Sequence, residues 1–308
     1  MIWVTWAQHR REALASGLVF AAAATLLVVT GLLMLADWER SGAGHCVGAG
    51  VPCDTAAFPL RWHRLTVGAP LALMTLPALL GVFIAAPLLS REFEQGTYLF
   101  AWSQSITKLR WAVVKLGVIS LAVIVAAAAL GALVVWWHAP LDSASFDGPW
   151  GAFDVEGIAP VAYATFALTL GTLAGLLIRR MIPAMALTLF VFAGVRVLVA
   201  GLRPHFLPPV TASAQTLGQG SWVVTSNYYA DAQGHLLSLD QVNSVMSGYN
   251  GPSASGLMDY MHLHGVNLVA DYQPLERFWT FQLIEAAVFF GLAIALTAIS
   301  LWWLQRRA

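Results

Sequence analysis

The chain has 308 residues, of which 58% are hydrophobic and only 10% charged, with 16 basic and 16 acidic residues in balance. A soluble domain carries roughly 25% charged residues, so this chain cannot cover a water-exposed surface and needs a bilayer as part of its solvent. Zero net charge leaves no electrostatic case for nucleic acid.

Residues 1–16, MIWVTWAQHRREALAS, come first. Trp3 and Trp6 precede His9, Arg10 and Arg11, which suits an amphipathic helix lying at the inner interface with its aromatics at headgroup level. A plain cytoplasmic tail with a positive flank is the alternative. A helix that crosses hydrocarbon needs about 20 apolar residues. Six stretches meet that need: 17–36, 68–89, 111–137, 158–178, 182–202 and 279–304. They are too long and continuous for the alternating strands of a barrel. The first also exceeds a signal-peptide core of about 7–15 residues, so it reads as a retained span. Pro70, Pro77 and Pro183 are tolerable inside membrane helices. The predicted fold is therefore an all-α integral membrane protein with six transmembrane helices, one membrane domain over 1–308.

Basic residues orient it. With the N-terminus inside, the inner pieces hold Arg10, Arg11, Arg91, Lys108, Arg110, Lys115, Arg179, Arg180, Arg306 and Arg307. The outer pieces hold Arg40, Arg61, Arg64, Arg203 and Arg277. The excess predicts N-in, C-in.

Three outer segments then follow, about 37–67, 138–157 and 203–278. The first contains the only cysteines, Cys46 and Cys53, in GHCVGAGVPCD. Outside the cytoplasmic membrane a disulfide is allowed, and the short Gly- and Pro-rich loop closes easily; two free thiols are the alternative. The third segment is far the longest and reads as an extracellular subdomain, because a loop of that size is functional or independently folded. Within it YADAQGHLLS has the composition of a turn.

Catalytic and ligand motifs are mostly missing. A P-loop needs Gly-Lys, but Lys108 and Lys115 follow Thr107 and Val114, so this chain is expected not to be an ATPase or another enzyme. MHLHG offers His262 and His264 with Asp259 near in sequence, yet no His-Glu-x-x-His and no third ligand follow; no metal site is expected. The histidines lie outside the spans or at their ends, His138 closest, which disfavours a membrane cytochrome. No Gly-x-Ser-x-Gly elbow occurs. Inside the spans Glu285 is the one acidic residue and Arg196 the main basic one. Both fall about 9 Å below the outer end of their spans, at about 1.5 Å per residue. The matched depth and opposite sign predict an ion pair, which offsets the desolvation of each; the alternative is that each snorkels or faces a water-filled vestibule separately.

The inner segment 90–111, SREFEQGTYLFAWSQSITKLRW, gathers Arg91, Glu92, Glu94, Lys108 and Arg110. The second span is expected to run on through LLSREFEQ and stop at Gly96, whose left-handed conformation caps a helix. Ser105 or Thr107 would cap the next helix. The result is a short elbow toward the cytoplasm.

REFEQGTYLFAWSQSITKLRWAVVKLG resembles the loop after the second span of bacterial, actinobacterial-like ABC-transporter permeases of the type-2 exporter class, which share an E-x-E-x-G-T pattern. Glu92, Glu94, Gly96 and Thr97 match it, and Trp102, Ser103, Gln104, Ser105, Arg110, Trp111, Lys115, Leu116 and Gly117 continue it. YQPLERFWTFQLIE at 272–285 and WVTWAQHR near the start are similar as well. The resemblance implies a permease subunit in the bacterial cytoplasmic membrane, working as a dimer of two copies or with a related permease. It implies two separate ATP-binding subunits that carry ATP and Mg, with no cofactor in this chain. It makes 90–111 the coupling loop, with Arg179 and Arg180 of RRMIP as a second contact; positive-inside anchoring explains those arginines equally. It places the pathway between permeases, faced by spans two and five, where Phe83 and Phe190 would line it for amphiphilic cargo. A membrane-embedded enzyme acting through the outer domain, or an ATPase-independent channel or sensor, are the competing readings.

Overall fold

The computed structural model describes residues 2–42, 57–96, 108–251 and 253–307. Helix α1 covers Ile2–Arg40, α2 Ala57–Leu80 and α3 Ala86–Gln95, with a π-helical segment Gly81–Ala85 joining α2 to α3. Helices α4, Lys108–Ala144, α5, Ala159–Ile178, and α6, Met181–Leu202, follow. Among the described residues six helices are long and apolar enough to cross a membrane. The even number puts the start of α1 and the close of the sixth span at one end of the bundle, together with the end of α3.

Helix α1 corrects one expectation. It is a single helix of 39 residues, about 58 Å long at about 1.5 Å per residue. A separate helix lying flat over 1–16 would need a break that is not there. The segment before Gly17 contains no proline or glycine to make one. Residues 2–16 therefore belong to the same unbroken helix as the first span.

The fourth span, α5, is the hub. In its apolar window 72% of residues are buried, against 17–33% in the other five. It meets the second span through small residues. Gly81, in the π-helical segment, lies so close that an added Cβ would fall 2.8 Å from the Ala167 carbonyl oxygen. A Cβ on Gly171 would fall 2.5 Å from the Gly81 oxygen, and one on Gly175 2.5 Å from the Ala86 oxygen. Lipid gives helices no hydrophobic reason to associate, so this backbone-to-backbone approach supplies the contact. Pro87 follows directly and offers no N–H to the Phe83 carbonyl, so the regular ladder is interrupted there in any case. Gly171→Ala is expected to destabilise the bundle by about 1–3 kcal/mol, because backbone atoms rather than a flexible side chain must yield. Gly171→Leu should prevent native packing. Thermal unfolding in detergent measures both, and unchanged melting of Gly171→Leu would refute the close approach.

The long segment 203–278 is not all helix, which corrects the all-α expectation. Strands β1, Val210–Ser213, β2, Trp222–Ala230, and β3, Asn267–Gln273, form an antiparallel sheet in the order β1-β3-β2. Val210 pairs with Tyr272, and Trp222 with Gln273. The runs WVVTSNYYA and NLVADYQ are rich in β-branched and aromatic residues, which suit a half-buried pleated surface. Two short helices, α7, Leu239–Met246, and α8, Ala254–Leu263, lie between β2 and β3. Ser238 and Gln241 close α7 with a reciprocal capping box. Val242, Met261 and Val266 form a small core with Tyr229 and Leu257. YADAQGHLLS does turn: the Asp231 carboxylate accepts from the Gln233 and His235 amides at 2.9 and 2.8 Å.

The sheet is seated on the bundle by aromatic packing. Trp150, in a 3-10 turn at Gly148–Ala152, stacks on Trp222 at 5.1 Å between ring centroids. Its Nε1 donates to the Gly220 carbonyl at 3.0 Å. Phe278 and Phe281 meet the same indole edge-on, both at 5.3 Å, from the last helix α9, Phe278–Arg307.

Candidate functional site

At the elbow end, α3 stops at Gln95, and Gly96 takes a left-handed φ of 69° with its amide on the Phe93 carbonyl at 3.3 Å. That is the stop expected of glycine. The turn between α5 and α6 is equally tight. Arg179 ends α5 at φ 57°, the one non-glycine residue with positive φ among the described residues. Its amide donates to the Gly175 carbonyl at 3.1 Å. These two turns touch each other. Glu94 Oε2 accepts from the Met181 amide, the first of α6, at 3.1 Å. The Arg179 guanidinium carbon lies 5.2 Å from the centre of the Phe93 ring. A carboxylate at a helix N-terminus satisfies a free N–H and meets the positive end of the helix dipole. Glu94, Arg179 and Arg180 are exposed, so both turns present charged side chains at this end. Glu92 lies on α3. Thr97 and the rest of the loop to residue 107 lie outside the described residues, as do Cys46 and Cys53.

At the opposite end a charge cluster is built from three spans and a loop. Glu285, on α9, is fully buried. Its Oε1 accepts from Arg196 Nη1 on α6 at 3.0 Å and from the Tyr163 hydroxyl on α5 at 2.6 Å. Its Oε2 accepts from Arg203 Nε at 2.7 Å. Asp154, in the loop before α5, bonds Arg203 and sits 3.0 Å from Arg196 Nη2. Two carboxylates thus meet two guanidiniums, and the set is neutral when all four are ionised. The arginines also stack: Arg196 lies 3.8 Å from the Tyr163 ring centre and Arg203 4.0 Å from that of Phe153. Burial alone would raise the Asp154 carboxyl, but the Arg203 and Arg196 charges outweigh it and hold it below its ordinary value. Gln282 braces the same loop. It accepts from the Ala159 amide and donates to the Phe153 carbonyl, both at 2.9 Å.

The structure therefore brings Arg196 and Glu285 into direct contact. It adds Arg203, Asp154 and Tyr163, which the sequence reading had not joined to them. One signal was available: Arg203 follows Arg196 by seven residues, about two helical turns, and so returns to the same face. Phe83 and Phe190 are 61% and 75% exposed on the outside of the single-chain bundle. They can line a pathway only if a second subunit covers them.

A second polar group stands beside this cluster. His138 Nδ1, near the end of α4, lies 2.6 Å from Asp142 Oδ1 and 3.1 Å from Glu156 Oε1. Burial pushes the Glu156 carboxyl up to about 7, the imidazole pulling against the rise and Asp142 adding to it.

Six apolar spans define a multi-pass membrane protein. The comparison with protein families is more specific: residues 17–203, more than half the chain, match the family described as ABC-2 membrane transporter related, and the chain belongs to it. No curated protein and no solved structure matches the chain. Membership implies the permease part of an ABC transporter and, in general terms, a separate ATP-binding partner.

Proposed function

We propose that this chain is the membrane half of an ATP-driven exporter in the bacterial cytoplasmic membrane, with both termini in the cytoplasm. Two such permeases, identical or related, would enclose the pathway, and two ATP-binding subunits holding ATP and Mg would drive it. The observation that carries this reading is the joining of the two inner turns within a chain of this family. Glu94 seats on the first amide of α6, so a push on the elbow reaches the second and fifth spans together. Gly96 ends α3 at the elbow, and Glu92, Thr97, Arg179 and Arg180 would belong to the surface that an ATP-binding subunit grips. The exposed faces carrying Phe83 and Phe190 belong to those same two spans. A hinge at the elbow would therefore move the faces that border the pathway. The buried charge cluster holds the outer ends of the fourth, fifth and sixth spans as one block beneath the sheet.

Affinity purification of the tagged chain from its native membrane tests the reading. An ATP-binding subunit should copurify in equal amount with the permease, and its ATPase should respond to the permease. Recovery of the chain without any ATPase would overturn it.

A further inference from the structure

His138, Asp142 and Glu156 form a compact donor set outside everything the transport reading uses. His138 and Asp142 are four residues apart on α4 and so share one face of it. Glu156 reaches them from the loop before α5. The side chains are nearly closed off: His138 is 8% exposed, Glu156 4% and Asp142 20%. Nδ1 carries at most one proton. Asp142 takes it at 2.6 Å, and Glu156 Oε1, buried and pointed at the same nitrogen, has no hydrogen-bond donor among the described residues. A buried carboxylate oxygen without a donor is costly.

We propose that these three side chains form a binding site for one divalent transition-metal ion of the zinc class. One donor atom from each lies within 4.8 Å of the other two. Donors around a tetrahedral zinc at about 2.0–2.1 Å stand about 3.3 Å from one another. The distances of 2.6 and 3.1 Å to Nδ1 would open by less than about 1 Å to accept the ion. On binding, Nδ1 gives its proton to water and turns its lone pair to the metal. The dication balances the two carboxylates, and Glu156 Oε1 gains a partner. Asp142, the most exposed of the three, leaves an open side for a water ligand. One imidazole with two carboxylates selects zinc-like ions over calcium and magnesium, which favour oxygen alone.

The location gives the site a consequence. Glu156 lies two residues past Asp154, which bonds Arg203 in the charge cluster. The loop thus faces the third span with one carboxylate and, through Arg196 and Arg203, the fifth span with the other. A metal on Glu156 would clamp the end of the third span to that block. The MHLHG histidines take no part: His262 Nδ1 lies 2.5 Å from Asn267 Oδ1, and His264 Nδ1 contacts the Tyr260 carbonyl at 2.8 Å.

The test uses the full-length chain in nanodiscs, stripped with chelator and titrated with Zn²⁺ or Co²⁺. Calorimetry should show one ion per chain, with a rise in Tm. Co²⁺ should give the visible absorption of a four-coordinate nitrogen and oxygen site. Glu156→Gln and His138→Gln should each weaken Zn²⁺ binding at least tenfold, while a His262→Ala, His264→Ala double variant binds as before. If His138→Gln does not fold, Asp142→Asn at the exposed ligand should show the same weakening. Wild-type binding equal to that of Glu156→Gln, equal response to Mg²⁺, or loss of binding in the loop-histidine variant alone would each overturn the site.

Discussion

Glu285→Gln should destabilise the bundle by about 3–5 kcal/mol, the range for removing one partner of a buried ion pair. The carboxylate is fully buried and accepts four hydrogen bonds, from Tyr163, from Arg196 and twice from Arg203. Glutamine keeps one acceptor oxygen and turns an NH₂ toward guanidinium groups that can only donate. Asp154 alone would then face two cations. Neutralising a cation in the same background should recover part of the loss. Arg203→Met should recover more than Arg196→Met, because Arg203 engages Glu285 through both Nε and Nη2, at 2.7 and 3.0 Å. Denaturant unfolding in detergent of the two double-mutant cycles provides the measurement. A loss below about 1 kcal/mol for Glu285→Gln, the level of an exposed pair, would show that water rather than the arginines compensates the carboxylate.

This pair was legible in the sequence because it needed only depth and sign. Span positions follow from runs of apolar residues, and counting along two helices put Arg196 and Glu285 at one level. Arg203 and Asp154 were hidden because hydropathy ends a span where the polar residues begin, while the backbone keeps its direction further. A 3-10 turn at Arg203–His205 continues directly from α6 and aims Arg203 back at the cluster. Asp154 and Glu156 became meaningful only when the loop at 145–158 was folded against two different helices. The sheet was missed for another reason: glycine, serine and asparagine punctuate 203–278 heavily, and that signal drowned the short β-branched runs. The stop at Gly96 was read correctly because a left-handed cap is a local demand of the backbone. The Glu94 contact with Met181 joins residues 87 apart in sequence, and no local rule reaches that far.

That contact changes what mutation of the elbow will report. Glu94 is exposed but has an internal task, so Glu94→Ala removes both a charge offered to a partner and the acceptor for the first amide of α6. Loss of such a cap costs about 1 kcal/mol. Glu94→Gln separates the two effects, since its amide oxygen can still accept from Met181 while the charge is gone. If the charge grips a basic surface on the ATP-binding subunit, Glu94→Gln should weaken association about tenfold, the equivalent of about 1.4 kcal/mol, and reduce ATP-driven export with it. Glu94→Ala should fall further, because the fifth span then also loses its tie to the elbow. Raised salt should weaken the wild-type association and leave Glu94→Gln less affected, as expected for a solvent-facing charge. Membrane insertion and the melting temperature of Glu94→Gln should stay at the wild-type level, which separates coupling from folding. Pull-down of the ATP-binding subunit and export from inverted vesicles give the two readouts. Full export by Glu94→Gln with reduced export by Glu94→Ala would assign Glu94 to the helix cap alone and move the partner contact to Glu92, Arg179 or Arg180.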